Sequence, residues 1–274
     1  MDILGQPVKV RPQYLRVIIM PYPIIEIKNN DQIEPLGTKE KFWFYDEKEK
    51  IKKLFKVGRI KTGENWSEKI ACELAKRLDL PCANYDFAIW NNKEGVVTPN
   101  FVPKNGRLIL GNEILAKIVD NYPRYDFYKV REYRLSTVLA IMLKLKNINL
   151  PIGYIENNII NNSIGMFIGY LLFDCWISNP DRHHENWGFI LDSSSNKIHL
   201  TPTYDHASGL GCRLTDEERK KKLNTKDKGY SVSNFVKRAI TPFFDKEKKQ
   251  MKTIETFFIA SRHDSKAALF WLEN

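Results

Sequence analysis

The stretch that decides the fold is SNPDRHHENWGFI, residues 178–190, with its continuation KIHLTPTYDHASGL, residues 197–210. Asp181 and Asn186 stand five positions apart, with Arg182 and His183 between them, and Asp205 follows about two dozen residues later. Residues 187–191 and 197–200 read as two short strands, and Ser193-Ser194-Ser195-Asn196 supplies the turn between them. A hairpin there brings Asp205 back beside Asn186. Carboxylate, amide, strand, turn, strand, carboxylate is an order that suits phosphoryl transfer from ATP, although neither an HRD nor a DFG triplet is present.

The residue types fit that chemistry. Mg²⁺ is a hard cation and takes oxygen ligands. Asp205 offers a charged oxygen and Asn186 a neutral one, a mixed pair that limits repulsion against a polyphosphate. Asp181 then stays free to orient an acceptor hydroxyl and to take its proton late. Arg182 and His183 are expected to brace the loop through hydrogen bonds. His183 and His184 are adjacent and point in different directions, with no Cys or Glu at ligand spacing on a helix, so zinc is disfavoured. The bland alternative makes Asn179-Pro180-Asp181 an ordinary turn before a strand.

The DRHxxNWGF run followed by TPxYD resembles the HipA-like Ser/Thr kinases, most closely their compact, CtkA-type members that lack HipA's extra N-terminal subdomain. The wider superfamily includes the phosphatidylinositol kinases and shares the DRHxxN core. Residues 201–205 favour the HipA branch. The catalytic-loop match is strong, and the N-terminal half offers only a few anchors. The resemblance implies an α+β, bilobal, protein-kinase-like fold with a β-rich N-lobe and a helical C-lobe. It implies ATP and Mg²⁺ as cofactors and a protein carrying Ser or Thr as substrate. Family members include toxins paired with a small DNA-binding antitoxin, and secreted effectors.

Bulk properties bound the answer. A chain of 274 residues suffices for two lobes, and 43% hydrophobic residues with 12% aromatics can fill a core. Cys72, Cys82, Cys175 and Cys212 show no CxxC pairing and are expected to be reduced thiols, as in a cytoplasmic protein. No charged n-region followed by an apolar run opens the sequence, so no signal peptide is expected. The longest apolar stretch, residues 164–177, contains Asp174 and is too short to span a bilayer, so a buried helix is expected. The net charge of +10 suits nucleic acid, anionic lipid or an acidic protein, but solvated surface is favoured, so direct nucleic-acid binding is not.

Apolar runs at 14–20 and 23–27 read as strands, and 41–45 with 51–57 as a hairpin over a charged turn. Asn65 or Ser67 is expected to cap a helix to about residue 79. Strands follow at 83–90 and 96–102, joined by a turn over 91–95. Helical spacing marks 112–121, 130–146, 162–178, 215–223, 233–244, 251–261 and 266–272. The lobes are expected to divide near residues 103–106, giving 1–104 for nucleotide and 105–274 for catalysis and metal.

On the nucleotide side, Leu54-Phe55-Lys56-Val57 is an apolar run broken by one lysine, which needs a partner. Glu68, at the start of the next helix, is the natural candidate. Strand register leaves Lys53 as a competitor, with Lys61 weaker. The resemblance places the ATP-contacting lysine at Lys56. Residues 34–39 lie between strands with a single glycine, Gly37, so they form no P-loop, but turn amides can still hold phosphate. In HipA-like kinases the matching loop can carry an autophosphorylated residue, which here is Thr38. Adenine is expected near residues 99–102. Two alternatives stand beside the protein kinase: a lipid kinase using Arg213 and residues 219–222 as a basic loop, and a catalytically weak binding module.

Overall fold

The computed structural model describes residues 22–28, 40–126, 128–145 and 147–274. The strand expected at 14–20 and the loop bearing Gly37 and Thr38 lie outside them.

Alternating large apolar residues build the first sheet. Its strands are β1 (Ile24–Ile27), β2 (Lys41–Asp46), β3 (Ile51–Val57), β4 (Asp86–Trp90) and β5 (Lys93–Pro99), with helix α1 (Glu64–Arg77) between β3 and β4. The order is β1-β4-β5-β3-β2. β1 runs parallel to β4, and the other neighbours are antiparallel. Side chains alternate across the pleat. Phe42, Phe55, Trp90 and Val97 cluster on one face, while Tyr85 and Val96 pack with Cys72 of α1 on the other. Lys56 therefore shares the α1 face, and Lys53 lies on the aromatic one.

Local chemistry corrects two expectations here. The β4–β5 turn is only Asn91-Asn92, both with positive φ (46° and 60°), the left-handed pair of a type I′ hairpin. Gly95, expected in the turn, lies within β5, where an added Cβ would strike the Lys56 carbonyl oxygen and the Phe55 ring. Helix α1 starts one residue before Asn65, with Gly63 as its N-cap. Ser67 does not cap it; its hydroxyl donates to the carbonyls of His206 (3.2 Å) and Gly209 (3.0 Å).

The remaining elements are β6 (Gly106–Leu110), α2 (Gly111–Ile118), α3 (Leu135–Lys144), β7 (Ile148–Asn149), α4 (Ser163–Trp176), β8 (Gly188–Asp192), β9 (Lys197–Leu200), α5 (Asp216–Asn224), α6 (Val232–Arg238), β10 (Ile240–Phe244), β11 (Gln250–Lys252), α7 (Thr253–Ser261) and α8 (Ser265–Glu273). Helix α4 is apolar on nearly all sides and buried along most of its length, the centre around which this half packs. Asn162 caps it by accepting from the Gly165 amide at 2.8 Å, a cap of about 1 kcal/mol. Strands β6-β8-β9-β7 form a second sheet, and β10-β11 a third.

Strands β6, β7, β10 and β11 depart from the sequence reading. The helix expected over 233–244 stops at Arg238. Pro242 has no amide hydrogen to continue it, and Ile240–Phe244 pairs instead with β11. The four cysteines are free thiols. Among the described residues, no helix is long and apolar enough to cross a membrane.

Candidate active site

The loop after α4 takes its shape from one buried arginine. Arg182 is about 1% exposed. Its Nε donates to Asp174 Oδ2 and its Nη2 to Asp174 Oδ1, both at 2.7 Å, a bidentate fork onto the last turn of α4. Its Nη1 donates to the Asn186 carbonyl (2.8 Å) and its Nη2 also to Thr203 Oγ1 (2.8 Å). Asn179 adds a second tie, donating from Nδ2 to Asp174 Oδ1 at 2.8 Å. Tyr133 Oη donates to the Arg182 carbonyl at 3.0 Å and accepts from Trp187 Nε1 at 3.0 Å. Arg182, grouped with Asp181 in the sequence reading, thus does not line the cavity; it holds the backbone from inside.

With the loop so held, Asp181 and Asn186 are brought together. Asn186 Nδ2 donates to the Asp181 carbonyl at 2.6 Å, so the amide oxygen is the atom left to serve a cation. Asp181 Oδ2 accepts from Ser208 Oγ at 3.1 Å. Burial, and secondarily the charge of Asp205, raise the Asp181 pKa above its ordinary value, against the opposing pull of His183, Ser208 and Arg213. His183 lines the same cavity, and its Nδ1 accepts from the Glu185 amide at 3.2 Å. His184 is turned inward; its Nδ1 lies 2.7 Å from Tyr122 Oη. Burial and then His183 push its pKa down to about 4.

The chain returns through the β8–β9 hairpin to Asp205, which has φ +61°. Aspartate tolerates this left-handed conformation better than most side chains. Lys56 Nζ reaches Asp205 Oδ1 at 3.2 Å, Tyr85 Oη at 3.3 Å and Glu68 Oε2 at 4.0 Å. Burial opposes the Lys56 ammonium, but Asp205, Tyr85 and Glu68 outweigh it and hold its pKa well above that of a free lysine. Glu68 is fully buried, and its Oε1 accepts from the His206 amide at 2.7 Å. Burial, then Arg182, keeps His206 neutral, its pKa well below the ordinary value. Lys53 pairs away from the site with Asp46 (2.8 Å) and Glu49 (2.6 Å).

One cavity of about 630 Å³ is lined by Lys56, Glu68, Asp181, His183, Asn186 and Asp205, and by residues 99–102 where adenine was expected. That size accommodates a nucleotide. The donor set also fits Mg·ATP: a carboxylate and an amide oxygen for a hard cation, with an ammonium for phosphate. Sequence reasoning missed Tyr85, Ser208, His206 and Asp174. Only Asp174 left a signal, as a lone carboxylate in an apolar helix that needs a buried cation.

No family model and no curated protein matches the chain. Among solved structures, the Helicobacter pylori proinflammatory kinase CtkA matches with a TM-score of 0.67 at 17% identity, over 90% of this chain and 83% of that one. HipA of the Shewanella oneidensis MR-1 toxin–antitoxin system, solved with HipB and operator DNA, gives 0.48 at 12% identity, over 90% of this chain and 60% of that one. At such identities the likeness is one of architecture: the chain has the α+β, kinase-like fold of CtkA.

Proposed function

We propose that the chain is an ATP- and Mg²⁺-dependent Ser/Thr protein kinase of HipA type, acting in the cytoplasm. The supporting observation is that Lys56, the loop pair Asp181 and Asn186, and Asp205, from three separate stretches of sequence, line one cavity. Bound Mg·ATP supplies the phosphoryl group, and the ion offsets its charge. Asn186 and Asp205 are the ligands for the ion, and Lys56, positioned by Glu68, meets the phosphates. Asp181 orients the acceptor hydroxyl and accepts its proton. Arg182 positions Asp181 and Asn186 without touching substrate. Residues 1–104 serve as the nucleotide lobe and residues 105–274 as the catalytic lobe. The acceptor is a Ser or Thr on another protein, and in a toxin role a small DNA-binding antitoxin is the regulatory partner.

The test is incubation with Mg·ATP and candidate proteins, read by mass spectrometry. Transfer by the wild type, lost in Asp205→Ala and Asn186→Ala while the fold persists, is the expected result. An ATP-analogue crystal with Mg²⁺ bound away from both residues would sink the assignment.

A further inference from the structure

Residues 213–238 hold nine lysines and arginines against four aspartates and glutamates. This surplus of five is half of the chain's +10, packed into a short segment. None of its residues is buried. Three of the four acids are engaged locally. Glu218 accepts from the Thr215 amide (2.8 Å) at the start of α5, Asp216 pairs with Arg219 (3.3 Å), and Asp227 caps the short turn Lys228–Tyr230. Lys220, Lys221 and Lys226 make no ion pair among the described residues. Two of its aliphatic side chains are largely exposed among these bases, Leu223 at 79% and Val232 at 75%.

The segment borders the candidate site. It follows Cys212, whose carbonyl accepts from the Gly63 amide at 2.7 Å, tying it to the start of α1. Arg219 stacks over the Trp66 ring of α1, 5.2 Å from its centroid, beside Glu64 and Asn65 of the cavity wall. The charge of Arg213 acts on the Asp181 carboxyl, opposing the rise in its pKa. The basic segment is thus tied to the cavity wall at α1, and one of its arginines acts on the carboxyl of the residue assigned to the acceptor hydroxyl.

We infer, resting on the kinase activity proposed above, that residues 213–238 dock the acceptor protein through an acidic segment whose Ser or Thr is flanked by Asp and Glu. Complementary charge fixes both the sign and the register of such a contact. The exposed Leu223 and Val232 match apolar side chains within that segment. They have no counterpart along a nucleic-acid backbone, whose contacts are to phosphate and sugar. A bilayer is disfavoured because α5, DEERKKKLN, has one apolar residue and hence no apolar face to insert.

The experiment uses the full chain and two synthetic peptides, each with one central serine, flanked by glutamates in one and lysines in the other. Transfer is measured with Mg·ATP, and binding by fluorescence anisotropy of labelled versions in which alanine replaces serine. The glutamate peptide should be preferred about tenfold in kcat/KM, as two or three surface charge pairs would give. Lys220→Glu combined with Lys221→Glu should remove most of that preference through KM, leaving kcat unchanged. Equal use of the lysine peptide, or an unchanged KM in the double variant, overturns the inference. So does tighter binding, lost in the same variant, to phosphatidylserine vesicles or a short DNA duplex than to the glutamate peptide. Glutamate-peptide binding without transfer to any acceptor counts against the kinase activity and leaves the docking surface standing. Transfer without glutamate preference does the reverse.

Discussion

Lys56 Nζ lies 3.2 Å from Asp205 Oδ1, joining the central sheet to the loop after β9 across 149 residues of sequence. Each group is the other's counter-ion in this arrangement, and each is assigned a different partner in the nucleotide complex. Exchange of partners, not creation of new charge, is therefore what binding has to accomplish.

Lys56→Met should weaken nucleotide binding about tenfold to a hundredfold, the worth of a hydrogen bond to a charged group. Lys53→Ala should leave nucleotide binding intact. It is not silent, however, because it strips Asp46 and Glu49 of their shared cation, at a cost of about 1 kcal/mol or less. Isothermal titration with an ATP analogue and urea melts separate the two effects. Reduced nucleotide affinity in Lys53→Ala would place the wrong lysine in the site.

Asp181→Asn should abolish phosphoryl transfer, keep nucleotide affinity and raise stability at neutral pH. The last effect follows from the raised Asp181 pKa, caused first by burial. The folded protein holds this proton more tightly than the unfolded chain. Stability consequently falls as pH rises from the ordinary carboxylate value through the raised one, and the penalty persists above it. Asparagine carries no such penalty. The gain should vanish below the ordinary value, where both states of Asp181 are protonated. Thermal melts of the two proteins across pH 3 to 8, roughly the range spanning carboxylate titration, check the sign.

Arg182→Met should cost about 3–5 kcal/mol, because it leaves the Asp174 carboxylate buried without its cation. Pairing it with Asp174→Leu should recover much of that loss, since two apolar side chains replace two charges. A double variant as unstable as the sum of its singles, measured by urea unfolding, would deny the coupling. Arg182→Lys is not a conservative control, as an ammonium cannot reproduce the fork.

Gly95→Ala should destabilise by about 1–3 kcal/mol through overpacking against the Lys56 carbonyl and the Phe55 ring. The displaced strand carries the site lysine, so weakened nucleotide binding should accompany the stability loss. Normal affinity in a destabilised variant would mean that β3 does not yield.

The hairpins were legible because their information is local. Alternation over residues 41–57 and the turn at 193–196 are visible in a few neighbouring residues. So were the residue types of the 178–210 stretch, whose spacing survives folding. β6 was not, because Gly106–Leu110 acquires its strand character from β8, far along the chain. β10 has a local signal, since Thr241-Pro242 breaks a helix, but the apolar spacing around it is also that of a helix face. The α1 cap was misplaced because Ser67, a good capping residue, spends its hydroxyl on a distant loop. Tyr85 and His206 had no sequence signal at all, since a phenol or imidazole becomes part of a site only through what folds beside it.

The placement of Arg182 inside the molecule also decides how the protein comes apart. The loop bearing Asp181 and Asn186 cannot swing open by itself, because its anchor is the last turn of the buried α4. Amide protons there, such as those of Asn179 and Asn186, should exchange with solvent only on global opening. Those of α5 and α6, which bury nothing, should exchange through local fraying. Catalytic groups and docking surface would then belong to separate cooperative units, so the surface that meets an acceptor can loosen and re-form while the proton-accepting carboxylate keeps its place.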